Sequence, residues 1–375
     1  MRKIGIITII DNNYGNRLQN YAMQLLLKNC GFESETIRFS KNSCIEDTIS
    51  RLKIQLLQIP LVVRIRNTFK SDNYRVDFSK EFLMRKKNRN FKKFNKKYIH
   101  FHSRYVRKNI PPKNMNKYFD YFVAGSDQIW NPNYSFDPYI TYLRFAPKNK
   151  RIAIAASFGV EDIAKQKQEL VGECLKEMQY ISVREESGKA IVEKLTDKAC
   201  DVCLDPTLLI DSNVWKDIVL QRKKEISEKY VLTYFLGEKS KDRIELIEKY
   251  AKEKKLKIIH MNDKNNEEVY CWGPEMFLQA IYHCDAFFTD SFHGCVFSII
   301  FHKQFFVFQR QDAQESMFSR IQMLLNTVGL ERRKIDKEDK LPFDISMSEF
   351  ACIDKIIIEK QDEFKKNINA ILSEN

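Results

Sequence analysis

Apolar runs alternate with amphipathic stretches along most of the chain, and this alternation predicts buried strands and the helices that cover them. The first apolar run, residues 4–10, predicts a strand, and apolar positions at helical spacing from Leu18 to Leu26 predict the helix that follows it. Cys30 and the glycine after it are typical of a helix end, and residues 36–39 are predicted as the second strand. This strand–helix–strand start is the opening of a Rossmann-like domain.

The same alternation continues to about residue 210. The predicted strands cover residues 118–124, 151–159 and 180–183, and the predicted helices cover residues 161–178 and 186–194. No GxGxxG pattern follows the first strand, so a dinucleotide site of the usual kind is not predicted. We therefore expect residues 1–210 to form an N-terminal Rossmann-like domain.

The second half of the chain repeats the alternation after a polar segment, Trp215 to Lys229, which is predicted as a linking helix. Predicted strands cover residues 230–236, 256–261, 285–290 and 304–308, and predicted helices cover residues 241–254, 274–283, 293–302 and 321–328. Strands that alternate with helices in this way form parallel sheets with helices on both faces. We expect residues 211–348 to form a C-terminal Rossmann-like domain, and the amphipathic helix 349–375 to pack back on the N-terminal domain.

Charge separates one segment from the rest of the chain. The net charge is +13, and the segment from Phe82 to Phe119 alone holds 13 Lys or Arg and no Asp or Glu. The remainder of the chain is therefore close to neutral. We expect residues 41–117 to form a basic helical insertion in the N-terminal domain. Within it, residues 54–65 are apolar, too short to span a bilayer but able to lie at its interface.

The basic segment has two interpretations that the sequence leaves open. Phe91, Phe94, Tyr98 and Phe101 recur at helical spacing with lysines between them. They fit a surface helix whose aromatic stripe packs on its own domain. They also fit a basic, aromatic face that contacts an anionic membrane through residues 82–119. Nucleic-acid binding is not predicted, because no recognised binding motif accompanies the charge.

Composition narrows the class of protein. A chain of 375 residues with 43% apolar residues suits two globular domains. The apolar run at the N-terminus ends at Asp11 and is too short for an export signal, so we expect a cytoplasmic protein. Nine cysteines without such a signal indicate reduced thiols. Cys200 and Cys203 have CxxC spacing, but no second pair accompanies them, so no metal site is predicted.

The segment Asp290-Ser291-Phe292-His293-Gly294 carries the strongest signal of chemistry. It lies between a predicted strand end and a predicted helix start, which is where open α/β sheets bind their ligands. The helix N-terminus favours an anion, and His293 can transfer a proton near neutral pH. The alternative is a turn whose histidine only caps the helix.

Five short motifs occur in an order that points to a family. They are residues 11–22 (DNNYGNRLQNYA), 122–131 (FVAGSDQIWN), 181–187 (ISVREES), 205–209 (DPTLL) and 290–294 (DSFHG). Together they resemble the polysaccharide pyruvyl transferase family, over most of the chain. The resemblance implies two Rossmann-like domains facing across a cleft, similar to GT-B glycosyltransferases. It also implies an enzyme that transfers pyruvate from phosphoenolpyruvate to a sugar as a ketal.

The resemblance assigns roles to three candidate catalytic residues. Arg184 matches an arginine that the family uses for donor binding, since a guanidinium binds carboxylate or phosphate bidentately; the alternative is a salt bridge to Glu185 or Glu186. His293 is the acid–base candidate, because ketal formation must protonate one carbon and deprotonate two hydroxyls. Asp127 either contacts an acceptor hydroxyl or caps the turn that follows it.

The remaining candidates line the predicted cleft. The substrate-binding set is Asn13, Tyr14, Gly15, Asn16, Gly125, Ser126, Ser291, Phe292 and Gly294. Ser291 stands where some family members have arginine, which removes one cation from the donor site. Asp205, which precedes a proline, is interpreted as a structural turn, and Asp290 is expected to orient His293 or to cap its helix.

Three hypotheses for function follow. The first is a pyruvyl transferase of exopolysaccharide or capsule synthesis, with phosphoenolpyruvate as donor and a sugar, or its lipid-linked form, as acceptor. It would act in the cytoplasm, and the basic segment would hold it at the inner face of the membrane. The second is a GT-B-like glycosyltransferase that uses a nucleotide sugar, and the third is a non-catalytic member of the family. No Asp-x-Asp triplet or paired His-carboxylate motif occurs, so neither metal nor cofactor is predicted.

Overall fold

The computed structural model describes residues 1–40, 78–107, 114–134, 137–310, 318–336 and 341–373. Its strands are β1 (Lys3–Ile7), β2 (Glu33–Ser40), β3 (Phe101–Arg107), β4 (Tyr121–Ala124), β5 (Arg151–Ala156), β6 (Tyr180–Val183), β7 (Asp201–Val202), β8 (Tyr230–Tyr234), β9 (Lys257–His260), β10 (Ala286–Thr289), β11 (Gln304–Phe308) and β12 (Lys334–Ile335). The longer helices are α1 (Tyr14–Asn29), α2 (Phe78–Tyr98), α5 (Lys165–Lys176), α6 (Glu186–Leu195), α8 (Asn213–Leu220), α9 (Lys241–Lys254), α11 (Pro274–His283), α12 (Phe292–Ile300), α13 (Ser319–Thr327) and α14 (Met347–Ser373). Four single-turn helices complete the set: α3 (Met115–Tyr118), α4 (Pro138–Thr141), α7 (Pro206–Leu209) and α10 (Glu267–Tyr270).

The N-terminal sheet is parallel throughout and has the strand order β3-β2-β1-β4-β5-β6-β7. Its central strands are apolar on both faces, as β1 and β5 show, because helices cover the sheet on both sides. The chain adds β2 and β3 on one side of β1 and then returns to place β4 on the other side. The strand order therefore reverses between β1 and β4.

The C-terminal sheet is also parallel and has the order β12-β11-β10-β8-β9. Here β9 lies on one side of β8 and β10 lies on the other, so the order reverses between β8 and β10. The two sheets confirm the predicted class, an α/β protein with two Rossmann-like domains facing across a cleft in a GT-B-like arrangement. Ligands of such sheets bind at the carboxyl ends of the strands where the order reverses.

One hydrophobic core is shared by the two domains. Tyr14 of the N-terminal domain stacks on Phe277 of α11 with ring centroids 4.7 Å apart, and its hydroxyl donates to the Trp272 carbonyl at 3.1 Å. Trp215 is fully buried and meets Tyr21 of α1 edge-on at 5.8 Å. Aromatic pairs of this kind add to the free energy of apolar burial, so the two halves are held together by packed side chains.

The C-terminal helix α14 contacts both halves. Near its start, the ring of Phe350 stacks on His302 at 4.8 Å. Farther along, the Gln361 side chain donates to the carbonyl of Leu208 at 2.7 Å. Near its end, the Leu372 carbonyl accepts from Arg2 at 2.5 Å. The helix thus crosses from one domain to the other, while the predicted boundaries at residues 210 and 348 stay predictions.

The basic segment differs from the prediction in one respect. It was expected to be a helical insertion, but β3 within it pairs with β2 and extends the N-terminal sheet. Phe91 and Phe94 of α2 are fully buried, so the aromatic stripe packs inward, as one of the two interpretations required. Residues 41–77, including the apolar stretch 54–65, lie outside the described residues. None of the helices in the described ranges has the length and apolar character needed to span a bilayer.

The predicted linking helix is also shorter in the structure. It was expected from Trp215 to Lys229, but α8 ends at Leu220, and Gln221 closes it. Residues 221–229 contain one apolar residue, Ile226, so they have no apolar face at helical spacing. Because most helical stability in a protein comes from packing an apolar face, this stretch has little reason to continue the helix.

Candidate functional site

The two strand-order reversals open onto one cavity of about 640 Å³. The N-terminal domain contributes Asn13, Asn16, Asp127 and Gln128 to its wall, and the C-terminal domain contributes Leu236, Asp290, Ser291, Phe292, His293, Arg310 and Arg320. A polar cavity at the carboxyl ends of both sheets is the expected place for a ligand in this fold.

The first strand–helix turn forms part of the N-terminal wall. The Asn13 side chain caps α1 by accepting from the Gly15 N–H at 2.9 Å. Asn16, in the first turn of the helix, donates from its amide to the Asp127 carboxylate at 2.5 Å. The positive end of a 16-residue helix therefore lies at the cavity, where it favours a negative charge.

Asp127 is one of the carboxylates that line the cavity. Besides Asn16, it accepts from Arg184 at 3.0 Å and from the Gln128 N–H at 2.9 Å, and Arg320 lies 3.5 Å away. Burial raises the pKa of Asp127, but the positive charges of Arg184, His293 and Arg320 outweigh burial and lower it to about 2. Asp127 is therefore ionised at every pH near neutrality.

Arg184 lies below the cavity wall, between two carboxylates. It hydrogen-bonds to Asp127 and to Asp205, and its side chain is only 2% exposed. Burial disfavours its charge, but Asp205 and Asp127 outweigh burial and raise its pKa. The alternative partner suggested by sequence, Glu185, instead accepts from the Phe158 N–H at 2.9 Å. Arg184 thus forms ion pairs with Asp127 and Asp205 and does not line the cavity.

Asp205 accepts hydrogen bonds from three residues, whereas the sequence indicated only a structural turn. Its carboxylate accepts from Arg184, from Ser126 at 3.3 Å, and from both the N–H and the hydroxyl of Thr207 at 3.0 and 2.6 Å. Burial raises the pKa of Asp205, but Arg184 and His293 outweigh it and lower the pKa. The N-terminal domain therefore holds two ionised carboxylates around one guanidinium.

The Asp290–Gly294 loop forms the C-terminal wall. Ser291 caps α12 by accepting from the Gly294 N–H at 3.3 Å. Asp290 was expected to orient His293 or to cap its helix, but it does neither. Its carboxylate accepts from the N–H groups of Leu236 and Gly237 at 2.7 and 2.9 Å, and so joins the end of β8 to the end of β10.

His293 lies at the point where the two domains meet. Its Nε2 is buried without a hydrogen-bond partner among the described residues, and it lies 3.7 Å from the Asp205 carboxylate. The imidazole also lies against Gly15, since a Cβ there would come within 2.1 Å of Nδ1. Burial lowers the pKa of His293, although Asp205 and Asp127 oppose that effect. The neutral imidazole, which can accept a proton, is the favoured form.

Some predicted site residues support the cavity without lining it. Tyr14 belongs to the core between the domains, as described above. Gly125 has φ of 137°, and a Cβ there would lie 2.0 Å from the Ile154 carbonyl oxygen. Gly294 is equally confined, because a Cβ would lie 2.8 Å from the Thr289 hydroxyl. Of the predicted set, the structure places Asn13, Asn16, Asp127, Ser291, Phe292 and His293 at the cavity.

Sequence reasoning missed two charged residues of the site, Arg310 and Arg320, and interpreted Asp205 only as a structural turn. Arg310 could have been found, because it closely follows β11, whose carboxyl end opens on the same side as β10. Arg320 has no local motif. Across the described ranges, no group of three His, Cys, Asp or Glu side chains could hold a metal ion.

Both parallel sheets reverse their strand order at one cavity. This arrangement is that of a two-domain α/β protein of the GT-B-like fold class. Within that class, the chain belongs to the polysaccharide pyruvyl transferase family, whose model matches residues 13–312. A comparison with curated proteins gives no significant sequence match.

Solved structures with a similar fold include the following three. A UDP complex of MnaA from S. aureus is 10% identical, with a TM-score of 0.42 over 88% of this chain and 82% of that one. UDP-GlcNAc 2-epimerase from Methanocaldococcus jannaschii is 11% identical, with a TM-score of 0.42 over 96% and 92%. The epimerase from Neisseria meningitidis, bound to UDP-GlcNAc, is 10% identical, with 0.40 over 97% and 100%. These values are too low to bear on ligand or reaction.

Proposed function

We propose that the protein transfers pyruvate as a ketal from phosphoenolpyruvate to a sugar of a cell-surface polysaccharide or of its lipid-linked precursor. Family membership supports the reaction class. The observation that carries the proposal is His293, a buried imidazole at the N-terminus of a helix that opens on the cavity, whose Nε2 has no hydrogen-bond partner in the described part of the chain. It combines a proton-transfer group with a site that favours an anion.

The reaction sets a clear demand for proton transfer. Two sugar hydroxyls add to C2 of the donor, the C2–O bond to phosphate breaks, and C3 becomes a methyl group. Of the two hydroxyl protons, one ends on C3 and the other on the released phosphate. A neutral His293 accepts a hydroxyl proton, and the imidazolium so formed delivers a proton to the donor.

Asp127 has a different role in this proposal. Because its pKa is lowered to about 2, it is a poor proton carrier at neutral pH. Its fixed negative charge instead stabilises the positive charge that develops at C2, and it accepts a hydrogen bond from an acceptor hydroxyl. Arg184 and Asp205 act from below the cavity: Arg184 keeps Asp127 ionised, and Asp205 positions His293.

A ligand panel and an activity assay test the proposal together. Thermal shift with phosphoenolpyruvate, UDP-GlcNAc and UDP-glucose compares donors, since a ligand of the folded state raises its stability. Phosphate release and product mass are then followed with hexose and amino-sugar glycosides. Stabilisation by phosphoenolpyruvate, with phosphate release that needs a glycoside, is the expected result. Stabilisation by a UDP-sugar alone would transfer the chain to the glycosyltransferase hypothesis, and no ligand effect would favour a non-catalytic member.

The basic face of α2 suggests where the acceptor is met. Its exposed side chains repeat at helical spacing: Lys86, Arg89, Lys92, Lys93 and Lys96. Phe82 and Met84 are exposed near the start of the same helix, at 63% and 49%. Lysines and arginines with apolar side chains beside them fit an anionic lipid surface. We therefore place the enzyme in the cytoplasm, where phosphoenolpyruvate is made, against the inner face of the membrane.

Vesicle sedimentation tests this location. Binding to vesicles with anionic lipid, and its loss in Lys86→Glu/Lys93→Glu, is the expected result. Lys252→Glu/Lys254→Glu changes the same number of exposed charges on α9 and serves as the control. Equal sedimentation with neutral vesicles, or equal loss in the two variants, would count against a lipid-facing α2.

A further inference from the structure

Two arginines of the C-terminal domain line the cavity, although no motif singles them out. Arg310 closely follows β11, and Arg320 lies in the first turn of α13. Arg184, the arginine that the resemblance assigns to the donor, does not line the cavity. Among the described residues, the arginines that a bound anion would meet in the cavity are therefore Arg310 and Arg320.

Arg320 is buried with hydrogen-bonding capacity to spare. Its side chain is 10% exposed, and the carboxylate paired with it among the described residues, that of Asp127, is 3.5 Å away. Its Nε is buried without a hydrogen-bond partner among the described residues. Burial and the positive charge of Arg184 both lower the pKa of Arg320. A buried guanidinium with unmet donors is costly unless a ligand supplies acceptors.

Arg310 approaches the cavity from the other side of the loop. Its Nε lies 3.6 Å from the Asp290 carboxylate, which already accepts from two backbone N–H groups. The side chain remains 23% exposed at the cavity. The contact with Asp290 therefore orients Arg310 at the cavity wall.

Arg184 is committed elsewhere. Its two terminal nitrogens bond to Asp127 and Asp205, so one positive charge is shared by two carboxylates. Such a group has no net positive charge to offer a ligand. The carboxylates of Asp11, Asp127 and Asp290 also line the cavity. A dianion therefore needs both C-terminal arginines to overcome the negative charge already present.

We infer that Arg310 and Arg320 together hold the phosphate group of the donor. The inference rests on the proposed function for the identity of the donor. Two guanidinium forks can offer parallel N–H pairs to the three oxygens of a phosphate. The N-terminus of α12, a nine-residue helix, adds a positive dipole end beside them.

Binding and kinetics of Arg320→Gln and Arg310→Gln test the inference. We expect each change to raise the KM for phosphoenolpyruvate by roughly 10- to 100-fold, with a smaller change in kcat, because each removes a charged hydrogen bond to the ground-state donor. Arg320→Lys keeps the charge without the fork and should fall between. Arg332→Gln, on an arginine paired with Glu349 outside the cavity, is the matched control.

Inorganic phosphate and UDP-GlcNAc separate this inference from the proposed function. Calorimetry should show phosphate binding to the wild type and weaker binding to both variants. If phosphate behaves in this way but phosphoenolpyruvate is never turned over and UDP-GlcNAc binds, the arginine pair stands and the proposed function fails. If phosphoenolpyruvate is turned over with unchanged KM in both variants, the inference fails and the function stands. Thermal midpoints matching those of Arg332→Gln exclude misfolding.

Discussion

The two halves of the site are built differently. In the N-terminal half, Asp127 and Asp205 are both ionised, and Arg184 bonds to each of them. In the C-terminal half, His293 and Arg320 each keep a buried nitrogen without a hydrogen-bond partner among the described residues. The N-terminal half pairs its charged groups with one another, although the Nε of Arg184 is also buried without a hydrogen-bond partner among the described residues. The C-terminal half holds a histidine and an arginine that a ligand can reach from the cavity.

The difference shows that the two domains can supply different kinds of group to one site. Charges that must stay fixed during a reaction are best buried with complete partners, because the surroundings then hold them in one protonation state. Groups that exchange protons or bind ligands must keep unmet capacity. His293 completes the division, since its protonation responds to Asp205 across the boundary between the domains.

Removing Arg184, the central cation of the N-terminal half of the site, should lower the stability of the protein. Arg184→Met leaves Asp205 buried without a guanidinium and Asp127 with Arg320 alone, at 3.5 Å, and we expect the free energy of unfolding to fall by about 3–5 kcal/mol. Urea denaturation at neutral pH measures this loss. Arg222→Met, at an exposed pair with Glu225, should cost about 0–1 kcal/mol and is the control.

Acid should narrow the gap between wild type and Arg184→Met. The folded-state pKa of Asp127 is lowered to about 2, whereas an unfolded Asp has a pKa of about 4. The stabilisation by ionised Asp127 is therefore complete above about pH 4 and is lost as the pH falls toward 2. A difference between the two proteins that stays constant from neutral pH to pH 3 would mean that the carboxylates are not held ionised by Arg184.

Removing the imidazole of His293, the proton-transfer group of the C-terminal half of the site, should lower the catalytic rate. His293→Gln keeps the size and polarity of the side chain, and we expect kcat to fall by roughly 10²- to 10⁴-fold with little change in donor affinity. Phosphate release from phosphoenolpyruvate gives kcat, and calorimetry gives the affinity. His100→Gln, at an exposed histidine after α2, should leave both unchanged. An active His293→Gln enzyme would remove the histidine from the proposed chemistry.

Shifting the histidine without removing it should sharpen the comparison. Gly15→Ala would place a methyl group within 2.1 Å of His293 Nδ1, so the imidazole must move. We expect a loss of activity of about 10²-fold, because small misplacements of a reacting group are costly. Gly188→Ala in α6, where the nearest atom is 3.3 Å away, is the control. Activity retained in both variants would show that the ring position is unimportant.

The smallest expected effect is on pH dependence. The Asp205 carboxylate raises the pKa of His293, so Asp205→Asn should lower that pKa further and move the acid limb of kcat/KM to lower pH. NMR titration of the imidazole gives the same shift without turnover. Asp201→Asn, at a carboxylate bonded to Tyr180, is the control. An acid limb that stays in place, or moves to higher pH, would contradict coupling between the domains.

Much of this site could be predicted because its signals are local. The apolar strand β10 followed by Ser291 to His293 marks a strand end and a helix start within a few residues. Asn13 and Asn16 follow β1 in the same way. In each case a period of burial ends and polar side chains begin, which is the pattern that places a loop at the edge of a parallel sheet.

The remainder depends on contacts between distant residues. Asp205 precedes a proline and has the local signature of a turn, and only the fold brings it to Arg184 and His293. Arg320 is 193 positions from Asp127 along the chain, and nothing near it in sequence indicates a site. The strand β3 was missed for another reason, since its lysine- and arginine-rich surroundings resemble a surface helix. Edge strands commonly carry such charges.

The aromatic contacts between the domains also limit how this protein could be recombined. Tyr14 stacks on Phe277, and Tyr21 meets Trp215 edge-on, so the boundary between the domains is a continuous apolar core. Domains joined by small polar interfaces can be exchanged between relatives as modules. In a chimera of two relatives, the aromatic rings at the boundary would not pack together, and His293 would be displaced from Gly15. Diversification of such a chain is therefore expected to proceed through its loops, with the pair of domains inherited as a single unit.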